Sequence, residues 1–263
     1  MREKTFLISL NMKNTEGKIL TRDQIIFYKE EGYLLTGIPL FSEEKFGLLS
    51  QIFEELLVKM GNTKGNELDV PHFTEKRLFD FLMADEVLDM VEDLIGPNIG
   101  LWSSHFICKE AFSGSRTPWH EDSAYWKGRF DRYDDIVTVW LAIDPSTLEN
   151  GCMGVIPGTH RNGFSDYVEL DTEHKIFNLE ISDDNLDLEK VVWFELPKNH
   201  YSLHDSRIIH GANANNSSKR RTGYTMRYFN TDLVLQKDHP DNKNHRIYHC
   251  RGNNNGENPL IYL

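Results

Sequence analysis

Long apolar runs are missing from this chain of 263 residues, and so is any surplus of positive charge. Without roughly 20 consecutive apolar residues there is no candidate for a membrane-spanning helix. The run Phe6-Leu7-Ile8-Ser9-Leu10 is too short for a signal-peptide core and is followed by polar residues, so the expectation is a soluble, cytoplasmic protein. Lysine and arginine number 29 against 41 aspartates and glutamates, a formal net charge of −12. An acidic surface repels phosphate backbones and anionic lipid, which argues against nucleic acid and membranes as partners. The three cysteines, Cys108, Cys152 and Cys250, are odd in number and lack paired spacing. That argues against a disulfide scaffold and fits a reducing compartment. No Gly-rich phosphate loop and no Cys-Cys-His-His zinc spacing is present.

Aromatic residues are plentiful, with 15 Phe, 10 Tyr and 5 Trp, enough to build a sizeable core. The chain reads as a single domain over 1–263. Residues 21–97 read as a helical region, 98–230 as a β core and 231–263 as a polar C-terminal segment. Thr21 is a plausible N-cap, and Ser42 precedes a helical run of Phe46, Leu49, Ile52, Phe53 and Leu56. A further helix is expected over 75–95, before Gly96-Pro97. From residue 98, short β-favouring runs alternate with turn residues, at 100–108, 117–126, 136–144, 151–156, 191–196, 205–210 and 221–230. Helices followed by many short strands point to a mainly β fold, an antiparallel barrel or sandwich with flanking N-terminal helices. The polar stretches 161–190 and 231–256 read as irregular loops, candidate lids among them.

The chemistry concentrates in Trp119-His120-Glu121-Asp122. On a strand, residues i and i+2 share a face, so His120 and Asp122 project together while Glu121 points away. An imidazole and a carboxylate make two of the three ligands of a 2-His-1-carboxylate iron site. Such a site leaves room for a chelating 2-oxoacid and O₂. The pattern by itself is weak, because His239-Pro240-Asp241 repeats it. A third ligand is available in His210, which closes an apolar run and precedes Gly211. The chain then returns through Arg221 to Phe229. A hairpin would set Arg221 beside the strand of His210, where a guanidinium could take the distal carboxylate of 2-oxoglutarate. Arg220 would face the other way.

In these segments the sequence resembles the phytanoyl-CoA dioxygenase-like superfamily of Fe(II)/2-oxoglutarate oxygenases. The resemblance rests on Pro118 to Trp126, Trp140 to Asp144, Glu149 to His160, His210 to Tyr228 and an N-terminal pattern over Gln24 to Leu34. It implies a double-stranded β-helix, the jelly-roll or cupin-like barrel. It also implies His120, Asp122 and His210 as iron ligands, Arg221 as cosubstrate anchor and Trp140 lining the cosubstrate. Ala212 falls where the family often has a cosubstrate-contacting Ser, so one minor contact is lost. Ser103 and His105, on one face of a strand that lines the cosubstrate pocket in the family, are further candidates. Related halogenases lack the carboxylate, so Asp122 disfavours halogenation.

Other residues are weaker candidates. Tyr125, Trp126 and Arg227 are candidates for the substrate mouth, with core packing or a rim salt bridge as the plainer reading. His160, His200 and His204 read as structural, and Lys109 as a solvated strand end. The expected activity is hydroxylation of an unactivated C–H bond in a small metabolite or natural-product intermediate, using Fe(II), 2-oxoglutarate and O₂. Desaturation or ring closure is an alternative outcome. A cupin-like metal hydrolase or isomerase fits the three ligands equally, as does a non-catalytic small-molecule binder. Arg221 is the residue that discriminates, since a hydrolase needs no second-carboxylate clamp. A monomer or small homo-oligomer is expected.

Overall fold

The computed structural model describes residues 17–61, 68–113, 116–169, 179–182, 184 and 186–263. Helix α1 (Arg22–Glu31) starts as the sequence predicts. The Thr21 hydroxyl accepts from the Gln24 amide, and the Gln24 side chain accepts from the Thr21 amide. The chain reverses at Gly32 (φ 80°) and runs into β1 (Tyr33–Pro39). This strand was not expected inside a stretch read as helical. Helix α2 (Glu43–Lys59), capped by Ser42, buries Phe46, Leu49, Ile52, Phe53 and Leu56 along one stripe. Helices α3 (Phe79–Leu82) and α4 (Asp85–Ile95) complete the helical layer.

The β core comprises β2 (Ile99–Lys109) and β3 (Thr117–His120), then a short helix α5 (Asp122–Tyr125), then β4 (Ile136–Ala142) and β5 (Met153–Val155). It continues through β6 (Tyr167–Glu169), β7 (Leu179–Ile181), β8 (Val192–Trp193), β9 (His200–Asp205), β10 (His210–Ala212) and β11 (Arg221–Asn230). Strands β12 (Ile247–Arg251) and β13 (Leu260–Ile261) follow, in a region expected to be irregular at least as far as 256. A seven-stranded sheet has the order β1-β9-β4-β11-β2-β12-β13, and a four-stranded sheet the order β3-β10-β5-β8. The arrangement is a jelly roll with its helices on the outer face of the large sheet.

Strand parity sorts the side chains. On β11, Tyr224, Met226 and Tyr228 face outward into the helical layer. Phe53 of α2 meets Phe106 with ring centroids 4.9 Å apart, and Phe106 stacks on Tyr224 at 4.1 Å. Burying each such side chain contributes about 1.5–3 kcal/mol. The alternate residues of β11, namely Arg221, Gly223, Thr225 and Arg227, turn into the space between the two sheets. The outer layer therefore fixes the strand whose inner face carries the polar chemistry.

Two expectations about connection fail. The run 205–210 is not a strand. Asp205 ends β9 in the large sheet, a turn follows, and His210 opens β10 in the small sheet. Nor do β10 and β11 form a hairpin, because β11 pairs with β2 and β4 whereas β10 pairs with β3 and β5. Arg221 faces the metal-binding strands from the opposite sheet. No helix among the described residues is long and apolar enough to cross a membrane.

Candidate active site

His120 and His210 are direct partners on neighbouring strands β3 and β10 of the small sheet, and their ring centroids lie 4.2 Å apart. His120 Nδ1 lies 2.7 Å from the Pro118 carbonyl, and His210 Nδ1 lies 3.0 Å from that of Ile208. A carbonyl can only accept, so each Nδ1 carries the proton and each Nε2 keeps its lone pair for a metal. Burial, and then the neighbouring His210, push His120 down to about 3. Its ring is therefore neutral at physiological pH.

Asp122 arrives differently from the strand argument. The strand ends at His120, and Asp122 is the first residue of α5, whose turn swings the carboxylate back over the imidazoles. Asp122 Oδ1 lies 3.8 Å from His120 Nε2 and 3.9 Å from His210 Nε2. The three ligand atoms all fall within 4.8 Å of one another, and all three residues are buried. Two imidazole nitrogens and one carboxylate oxygen on one side of an open space suit Fe(II). The second H-x-D pattern, His239 and Asp241, forms no part of a metal-binding group among the described residues.

Arg227 holds the other carboxylate oxygen. Its Nε donates to Asp122 Oδ2 at 3.0 Å, and its Nη1 donates to Thr225 Oγ1 at 3.1 Å. It sits inside the barrel, not in a rim salt bridge. Burial alone would raise the Asp122 pKa, but Arg227, His210 and His120 outweigh it and hold the carboxyl well below the usual carboxylate range. The ligand is thus charged and oriented before any metal arrives.

From this group a cavity with ≈ 440 Å³ of free space, its open mouth included, extends between the sheets. Trp140, Met153, Ala212, Thr225 and, deeper in, Arg221 line it. Arg221 is buried, with Nε and Nη2 donating to the Gly151 carbonyl at 3.1 and 2.8 Å. Burial pulls its pKa down to about 10, so it remains cationic at neutral pH. It forms no salt bridge among the described residues, and its Nη1 donates to no protein group among them. The Trp140 ring lies under its guanidinium, 5.5 Å from Cζ to centroid. Gly223 leaves the space for that ring, since a Cβ there would come within 2.1 Å of Trp140 Cζ2.

The remaining candidates are placed unevenly. Ala212 lines the cavity. Ser103 and His105 share the inner face of β2, opposite Arg227 and Thr225, but Ile107 is the residue of that strand that reaches the cavity. Tyr125 stands edge-on to His120 at 5.4 Å. Trp126 is buried against Trp102 and beneath Arg227. Arg220 faces outward onto Asp144 and Glu54.

Three residues carry more than the sequence reading gave them. His204 lines the cavity, its ring 5.2 Å from that of His210. Lys109 is buried, not solvated. Glu121 does point away from the metal group, but into a clasp. Its carboxylate accepts from Ser165 Oγ at 2.5 Å and Tyr167 Oη at 2.8 Å, which ties β6 to the metal strand. Only strand parity could have flagged His204 and Lys109, and parity does not report burial.

Comparison with known proteins agrees with this geometry. The family model for phytanoyl-CoA dioxygenase (PhyH) matches residues 51–223. A probable phytanoyl-CoA dioxygenase of Caenorhabditis elegans is 27% identical over 251 residues, covering 83% of this chain and 78% of that protein. A probable alpha-ketoglutarate-dependent hypophosphite dioxygenase of Stutzerimonas stutzeri is 26% identical over 224 residues, covering 78% and 77%. The crystal structure of EvdO2 from Micromonospora carbonacea var. aurantiaca, complexed with 2-oxoglutarate, shares the fold with a TM-score of 0.69. It is 20% identical, over 85% of this chain and 96% of that one. The chain therefore belongs to the phytanoyl-CoA dioxygenase family and is a non-haem iron dioxygenase that uses 2-oxoglutarate and O₂.

Proposed function

We propose that the protein hydroxylates an unactivated C–H bond of a small metabolite or natural-product intermediate. In this reading His120, Asp122 and His210 hold the iron, and Arg221 binds the distal carboxylate of 2-oxoglutarate. The observation that carries it is one cavity with the His-Asp-His group at one end and, at the other, a buried guanidinium that forms no salt bridge among the described residues. When bound, iron with 2-oxoglutarate and O₂ supplies the power to oxidise a C–H bond, with succinate and CO₂ as co-products.

The chain's own residues bind and orient. Arg221, fixed by the Gly151 carbonyl, offers a pre-oriented cation to a carboxylate, and Trp140 forms the wall beneath it. Arg227 ties one Asp122 oxygen, leaving the other for the metal. The Nη2 of Arg227 takes part in neither of its bonds, and the residue lines the cavity. In this reading a polar or anionic substrate group would rest against Arg227, with Tyr125 beside His120 and Trp126 beneath the guanidinium as its neighbours. The buried walls keep water from the reacting centre.

The test is aerobic incubation with Fe(II), 2-oxoglutarate and a metabolite library, read by succinate release and mass spectrometry. A product one oxygen heavier than its substrate supports the proposal. Loss of two hydrogens as the outcome would move the assignment to desaturation.

A further inference from the structure

At its metal end the cavity is walled on one side by an imidazole that stands outside the metal-binding group. His204 lies on β9 of the large sheet, lines the cavity and is 2% exposed. It sits directly opposite Thr138 of β4, and Thr138 sits directly opposite Arg227 of β11. Directly opposed residues share a face, so the three form one row across the inner side of the large sheet. Arg227 and His204 end that row about 10 Å apart, two strand spacings. Arg227 reaches Asp122, and the His204 ring lies 5.2 Å from the ring of His210. The row therefore spans the side of the metal group that faces the large sheet. His204 is not among the residues whose ligand atoms fall within 4.8 Å of one another. It is a neighbour of that group, placed to reach what the group binds.

Its hydrogen bonding sets it apart from the other two rings. His120 and His210 each have Nδ1 on a backbone carbonyl. His204 Nδ1 is buried with no hydrogen-bond partner among the described residues. The same holds for the hydroxyls of Thr138, directly opposite, and of Ser202, two residues earlier on the same face. Buried polar groups in folded proteins are nearly always paired, so three open ones on the wall beside the metal group point to a polar ligand. The 2-oxoacid supplies one. Its distal carboxylate goes to Arg221. Its other carboxylate chelates the metal through one oxygen, and the second oxygen, closed in by buried walls, needs a donor. An imidazole in either charge state carries at least one N–H. We propose that His204 is a cosubstrate-binding residue, whose ring N–H donates to the metal-chelating carboxylate of 2-oxoglutarate and orients that end of the molecule. The proposal rests on His120, Asp122 and His210 holding the iron and on Arg221 holding the distal carboxylate. His204 and Arg221 then grip opposite ends of one small molecule, which leaves Arg227 to the substrate.

The experiment titrates the Fe(II)-loaded protein anaerobically with 2-oxoglutarate and, separately, with pyruvate, which has the same chelating end and no distal carboxylate. The visible charge-transfer band reports 2-oxoacid binding, and electron paramagnetic resonance of added Mn(II) reports the metal-binding group. Loss of a hydrogen bond to a charged group weakens binding about tenfold or more. His204→Leu should therefore bind both 2-oxoacids about tenfold more weakly than wild type and keep its Mn(II) affinity. His204→Gln, which retains an N–H donor, should recover most of the affinity for both. Arg221→Met should lose 2-oxoglutarate and bind pyruvate as wild type does. His204→Leu with wild-type affinity for pyruvate overturns the proposal. So does a joint loss of Mn(II) and 2-oxoacid affinity that His204→Gln does not restore, which marks a ring that only packs on His210. If Arg221→Met binds 2-oxoglutarate normally, the anchor assignment fails instead, and the pyruvate titrations still decide the role of His204. Should His204→Leu fail to fold, NMR of the Zn(II)-loaded protein with isotope-labelled histidine decides. Either 2-oxoacid should bring out a slowly exchanging imidazole N–H in wild type that His204→Gln lacks, and an unchanged spectrum overturns the proposal.

Discussion

Replacing Arg227 by methionine removes the charge that supports Asp122 while keeping much of the side chain's bulk. The pair is buried on both sides, with side-chain exposures of 11% and 7% and a 3.0 Å contact. Removing one partner of such a pair strands the other charge and costs about 3–5 kcal/mol. A domain of this size loses about 2 °C of Tm per kcal/mol, so the metal-free variant should melt roughly 6–10 °C below wild type. The imidazoles of the site help to hold that charge but do not replace the guanidinium, because His120 is held neutral by burial and by His210. A divalent cation can. Saturating Mn(II) supplies Asp122 with a new counter-charge, so the metal-loaded variant should return to within about 3 °C of metal-loaded wild type. Thermal melts of EDTA-treated and Mn(II)-saturated protein, followed by circular dichroism, measure both differences. A metal-free variant as stable as wild type, or a deficit of equal size with and without metal, would refute the reasoning.

Gly223→Ala places a methyl group 2.1 Å from Trp140 Cζ2. It should cost about 1–3 kcal/mol of stability and displace the wall under Arg221. Metal content should be unchanged and 2-oxoglutarate affinity lowered at least about tenfold by calorimetry, and unaltered affinity contradicts the packing argument. Glu121→Ala leaves the Ser165 and Tyr167 hydroxyls without their carboxylate partner. Charge-assisted bonds contribute about 1.5–3 kcal/mol each, so amide exchange across 165–169 should accelerate at least about tenfold. Exchange at the wild-type rate means that the clasp does not hold β6. Burial pushes His72 down to about 3 and His245 to about 4. Both pKa values lie below the unfolded value near 6.5, so the unfolded chain binds more protons between these limits. Their contribution to stability is present above pH 6.5 and is lost as pH falls. Urea titrations at pH 7.5 and 5.5 should show a loss of roughly 2–3 kcal/mol from the pair, and a flat profile shows that these rings protonate freely in the folded state.

Much of the site was legible because its residues carry local signals. His120, Asp122 and His210 are metal-ligand residue types at or beside strand ends, and Thr21 and Ser42 are capping residues that fold as caps. Strand parity on β11 set Arg221 inward and Arg220 outward, whereas Arg227, of the same parity as Arg221, was read as a rim salt bridge and proved to be inside the barrel. What stayed hidden depends on long-range pairing. The turn between β9 and β10 moves the chain from one sheet to the other, so Arg221 reaches the cavity across the barrel and not along a hairpin. Asp122 reaches the same place by a helical turn that alternation cannot foresee. β1 was missed because it pairs with β9, some 170 residues later in the chain, and the only nearby clue was the helix-ending Gly32. Lys109 and His204 looked ordinary because polarity at a strand end says nothing about the wall it will face.

The central claim is that one cavity binds Fe(II) at His120, Asp122 and His210 and holds 2-oxoglutarate, the metal's chelating ligand, with help from Arg221. Visible absorption of the anaerobic protein on adding Fe(II) and then 2-oxoglutarate tests this most directly. A metal-to-ligand charge-transfer band should appear with wild type, be absent in His210→Ala, and require far more 2-oxoglutarate to develop in Arg221→Met. A band of wild-type strength and 2-oxoglutarate dependence in either variant, or no band in folded wild type, contradicts the account.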